Sequence, residues 1–155
     1  MSEIYQVRVL KIAGDRLTCR VTALQPREPK EPPASKTLAL MLLWEPWHLF
    51  SEGLYYAFQP EPVVTLEQAK TLGRTAPIGR ELAGRDICDG DWMRANVGRF
   101  IRKVEVRGRR VVEEQPQTIH VRATFVITVT DPRWLKHLRA GMEWGTAAYN
   151  RDEKD

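Results

Sequence analysis

Cysteine and histidine are scarce in this chain. Cys19, Cys88, His48, His120 and His137 are the whole supply. None stands at zinc-type spacing from a second ligand, so a local metal motif is excluded. Long apolar runs are also missing. LALMLLW, residues 38–44, stops at Glu45-Pro46, far short of the ~20 residues a membrane span needs. The start, MSEIYQVRV, has no apolar signal core, and a cytosolic protein with reduced thiols is expected. Gly79, Gly84 and Gly90 form neither a dinucleotide nor a phosphate-loop pattern. DICDGD, residues 86–91, lacks the alternating oxygen ligands and distal glutamate of a calcium loop. The sequence calls for no cofactor, no metal and no membrane.

What remains is ordinary globular composition, 43% apolar and 28% charged over 155 residues. That suits a single domain over 1–147 with a frayed charged tail at 148–155. The net charge is +4, and it is unevenly placed. Arg99, Arg102, Lys103, Arg107, Arg109 and Arg110 face only Glu105, a net of +5 that leaves the rest of the chain at −1. Any long-range attraction for anions centres there. The plain alternative is the wet face of two neighbouring strands.

Period-two alternation marks the strands. Tyr5, Val7 and Val9 alternate with Gln6 and Arg8, and after a turn at Ala13-Gly14-Asp15, Leu17, Cys19, Val21 and Ala23 alternate with Thr18, Arg20 and Thr22. Cys19 falls on the apolar side, as a small core residue. The cleanest pattern is TIHVRATFVITVT, residues 118–130. Ile119, Val121, Ala123, Phe125, Ile127 and Val129 line one face, and His120, Arg122, Thr124 and Thr128 the other. RFIRKVEV and RVVEEQ flank Arg107-Gly108 and read as a tight hairpin.

Helix signals are fewer. Thr65 with Gln68 three residues on predicts a capping box for a helix over 65–73. Asp131 and Pro132 start a helix over 132–143 whose stripe of Trp134, Leu135, Leu138 and Met142 should cover the apolar face of the 119–129 strand. Arg133, Lys136, His137 and Arg139 form its wet side. WGTAAYN, residues 144–150, reads as an irregular segment after it. Residues 74–92 read as turns with short helical pieces. Proline-rich 25–36 reads as an extended connection. The apolar run from 37 lacks a period and fits either a buried strand or a helix. The expected fold is α+β, an antiparallel sheet of about five strands with helices packed on one face.

The residues support three functional readings. Trp44, Trp47, Tyr55 and Tyr56 belong to a dense aromatic cluster, which is either a packed corner or a patch exposed to a partner. With arginine abundant, the leading expectation is a non-catalytic protein-interaction module of bacterial type: an adaptor, an assembly subunit or an immunity-like inhibitor. Its partner is another protein or a second copy of the chain. The alternative is nucleic-acid binding by a basic hairpin at 99–110, using the cations Arg99, Arg102, Lys103, Arg107, Arg109 and Arg110. The third is a small enzyme with His48 and Glu52 as an acid–base pair, four residues apart on one helical turn.

Overall fold

Alternation builds the sheet, and its register sorts residues onto a dry face and a wet one. The computed structural model describes residues 2–24, 34–53, 65–82, 90–114 and 118–149. Five strands run through them: β1 (Ser2–Ala13), β2 (Arg16–Leu24), β3 (Ile101–Glu114), β4 (Thr118–Val129) and β5 (Glu143–Tyr149). They pair antiparallel in the order β3-β4-β2-β1-β5. Val7, Val9, Leu17, Cys19, Val21, Ala123, Phe125 and Ile127 are buried on one side. Their intervening neighbours, Gln6, Arg8, Arg20, Arg122 and Thr124, stand on the other. The fold is α+β, as expected.

The apolar run becomes helix α1 (Lys36–Ser51). Ser35 caps it, its hydroxyl accepting from the Leu38 N–H at 3.1 Å. Leu38, Leu40, Leu42, Leu43, Trp44, Trp47 and Phe50 are all buried, so the helix is covered on most of its circumference. That explains the missing period: an all-round apolar helix has no polar stripe to reveal it. It touches both outer strands, β3 and β5. Helix α2 (Leu66–Thr75) carries the expected capping box, with Gln68 N–H to Thr65 Oγ1 at 3.2 Å and Thr65 N–H to Gln68 Oε1 at 2.9 Å. Helices α3 (Pro77–Leu82) and α4 (Gly90–Phe100) complete the layer.

Pro46 lies inside α1 and does not end it. A proline has no N–H, so the Leu42 carbonyl four residues earlier loses its helical donor. The Trp144 indole on β5 supplies a replacement, donating Nε1–H to Leu42 O at 2.7 Å. A second indole acts in the same way: Trp47 Nε1 donates to Trp134 O at 3.0 Å. The two bonds fasten α1 to both ends of the C-terminal segment.

Three sequence expectations are corrected. Residues 101–114 form one strand and not a hairpin at Arg107-Gly108. Gly108, at φ +60°, serves a register shift between Arg107 and Arg110, a bulge in β3 against β4. Residues 132–143 are not a helix. Pro132–Leu135 make one 3-10 turn, with Asp131 Oδ1 accepting from the Arg133 N–H at 2.9 Å. The chain then leaves helical geometry because β1 offers better partners: Gly141 N–H bonds Val9 O at 2.8 Å, and Val9 N–H bonds Met142 O at 2.9 Å. From there the chain enters β5 and pairs with β1 as far as Tyr149, so Glu143–Tyr149 is a strand and not an irregular segment. The packing itself holds, since Trp134, Leu135 and Leu138 are buried in the same core as Phe125 and Ile127.

The Pro46–Trp144 relation predicts a coupling. Trp144→Phe should destabilise the protein by about 1–3 kcal/mol, because Leu42 O is left without a donor. In a Pro46→Ala background the restored N–H takes that carbonyl, and the same substitution should cost less by about 1 kcal/mol. Urea denaturation of the four proteins measures the cycle; additive costs would contradict it.

Candidate functional site

The two tryptophans of the aromatic cluster are core, not surface. Trp44 and Trp47 are 2% and 0% exposed. Trp44 meets Trp92 edge-on at 5.8 Å, Trp47 meets Phe100 at 5.6 Å, and Phe100 meets Trp134 at 5.8 Å. These rings seal α1, α4 and the 3-10 turn together, so neither tryptophan reaches a partner. Tyr55 and Tyr56 lie outside the described residues. The His48–Glu52 pair is not assembled either. Glu52 caps the C-terminus of α1 through its backbone N–H to His48 O, and the two side chains make no bond with each other.

The basic stretch divides into groups with different neighbours. Arg99, at the end of α4, pairs with Glu81, and Arg102 reaches Asp15 at 3.6 Å. Lys103 and Arg107 both clasp Glu105, at 2.9 and 2.6 Å. Their hydrogen bonds and charges push the Glu105 carboxyl down to about 2. Arg109 and Arg110 are exposed at the bulge. Because β3 is an outer strand, Arg102, Lys103, Arg107, Arg109 and Arg110 sit at one border of the sheet.

Register then gathers arginines from strands far apart in sequence. Across the wet face, Arg107 stands opposite Thr124, Thr124 opposite Arg20, Arg20 opposite Arg8, and Arg8 opposite Glu143. The adjoining row runs Arg110, Arg122, Thr22, Gln6, Gly145. Directly opposed residues hold their Cβ atoms about 4.5–5.5 Å apart, so Arg8 neighbours Arg20 and Arg110 neighbours Arg122, with Arg107 one strand beyond Arg20 across Thr124. Alternation in the sequence places Arg8, Arg20 and Arg122 on polar faces, whereas the pairing that unites them depends on strand order.

At the centre of this face lies a shallow cleft of about 230 Å³, lined by Gln6, Arg8, Arg20, Thr22, Arg122 and Glu143, with Gly145 at its β5 end. Arg8 is engaged with Glu143 at 3.2 Å. No acidic side chain among the described residues pairs with Arg20 or Arg122. Arg122 Nε is buried without a hydrogen-bond partner. The arrangement suits holding anionic groups. It offers no nucleophile with a base beside it, and no group of three or more metal-ligating side chains is gathered among the described residues.

Cys19, the one thiol among the described residues, is buried. Burial against the core pushes Cys19 up to about 12, so its reactive thiolate is suppressed. In a Cys88→Ser protein, Cys19 should resist a thiol-specific disulfide reagent at mildly alkaline pH and react once denaturant is added. Rapid labelling of the folded protein would contradict its placement.

No helix among the described residues is long and apolar enough to cross a membrane. Compared with protein-family models, curated proteins and solved structures, the chain matches none of them.

Proposed function

We propose that the protein is a non-catalytic interaction module that docks an acidic surface of another protein on its open sheet face. The observation that carries this reading is the convergence of Arg107, Arg110, Arg122, Arg20 and Arg8 across four adjacent strands. Arginine is enriched at interface hot spots because its planar fork bonds two carboxylate oxygens at once. A sheet holds such forks at fixed spacing, and a field of one sign speeds encounter with a partner of the other.

One feature favours a protein over a nucleic acid: among the described side chains of that face there is no Phe, Tyr or Trp on which a base would stack, and the Trp144 indole turns to α1 instead. The second reading keeps one supporting observation. Arg107, Arg109 and Arg110 are exposed and contiguous on an outer strand, which suits phosphate tracking.

A photo-crosslinking residue at Thr124, in the middle of the face, tests both. In the native cell it should capture a protein, and binding of that protein in vitro should weaken roughly tenfold or more, about 1.4 kcal/mol, in Arg20→Glu/Arg107→Glu. Capture of nucleic acid would favour the second reading. Absence of any adduct, or a captured protein bound equally well by the charge-reversed variant, would remove the proposal.

A further inference from the structure

The cationic face is not uniform, and its central cleft has a composition of its own. Arg8 and Arg20 are directly opposed on β1 and β2. Like charges in that position are mutually destabilising. Glu143 offsets Arg8 at 3.2 Å but does not pair with Arg20. Arg122 is diagonal to Arg20 on β4, and Thr22, two residues after Arg20 on β2, stands directly opposite Arg122 and is largely buried. The Nε of Arg122 is buried with no acceptor. An unsatisfied buried donor is costly, and more so when it belongs to a charged group. Two arginines without acids, a threonine and an orphaned N–H on one of the arginines therefore belong to the lining of the same small volume.

We infer that this cleft is a subsite for a single oxyanion group, gripped by Arg20 and Arg122 with the Thr22 hydroxyl as a third donor. The chemistry follows from the donors. A guanidinium fork matches two oxygens of one carboxylate or phosphoryl group, and a second guanidinium matches the charge that remains. Such a ligand would satisfy Arg122 Nε and relieve the repulsion between Arg8 and Arg20. The volume of about 230 Å³ leaves room for a side-chain head group. Gly145 keeps the β5 end clear, since it stands opposite Gln6 and has no side chain. The inference rests on the docking proposal for its natural ligand, an acidic side chain of the partner protein. The site itself can be examined without that partner.

The experiment is NMR titration of the whole chain with acetate in one arm and inorganic phosphate in the other, at constant ionic strength set by chloride. Saturable shifts are expected at the Arg122 and Arg20 Nε–H signals and at the Thr22 amide. Arg122→Lys, which keeps the charge but loses the fork, should abolish them. Gly145→Val, which keeps every charge but fills the open end, should do the same. Lys103→Gln, on the same face but away from the cleft, should leave them in place. Response to either anion supports the subsite, and a response to phosphate alone identifies a phosphorylated side chain as the source. Shifts spread equally over Arg107, Arg110 and Lys103, or none at all, would overturn it. Localised shifts with no adduct at Thr124 would refute docking and keep the subsite. An adduct without localised shifts would do the reverse.

Discussion

Helix α1 is apolar around most of its circumference, and most of the fold can be read as a means of covering it. An all-round apolar helix has no side that water can take, so it needs neighbours in several directions. The sheet lies under it, α3 and α4 flank it, and the 3-10 turn closes the gap near Trp47. The covering elements are far apart in sequence, so many of the contacts are long-range. Hydrophobic burial supplies the drive, and the two indole bonds fix where the C-terminal segment must sit.

The described helices all lie on one face of the sheet, and the composition of the other face follows from the register of the first. A slip by one residue would carry Arg20 and Arg122 into the core, so the pairing is strongly specified. The dry face thus imposes the positions of the wet one. Arg8 and Arg20 stand opposed because Val9 and Cys19, on neighbouring positions, must be buried. Unfavourable juxtapositions on a face of this kind persist because the core outweighs them. That is how a sheet can present an electrostatically unrelieved site to a ligand without losing its fold.

Much of this was legible in the chain. Alternation located β1, β2 and β4, and Thr65 with Gln68 located α2, because those signals are local. The misreadings share a cause. Trp134, Leu135, Leu138 and Met142 satisfy helical spacing, yet Val9, remote in sequence, takes the backbone groups of Gly141 and Met142 and turns the segment into a strand. Gly108 at positive φ serves a bulge as well as it serves a turn. Trp44 and Trp47 read equally as core or as interface, since both use large rings, and only burial separates the two. At the candidate site the run from Arg99 to Arg110 was visible as contiguous charge. Its association with Arg8, Arg20 and Arg122 depends on strand order, which no local pattern encodes.

The proline in α1 and the indole on β5 have a consequence for how this sequence can drift. Neither residue is needed for its own sake: the helix would propagate through alanine, and the strand would accept another ring. Once position 46 cannot donate, position 144 must, and the pair is then held together although nearly a hundred residues separate its members. A descendant that reverts the imino acid frees the distant site to vary, whereas one that loses the indole first inherits an unanswered carbonyl. The order of the two changes therefore matters, because losing the indole first carries a cost in stability that losing the proline first does not.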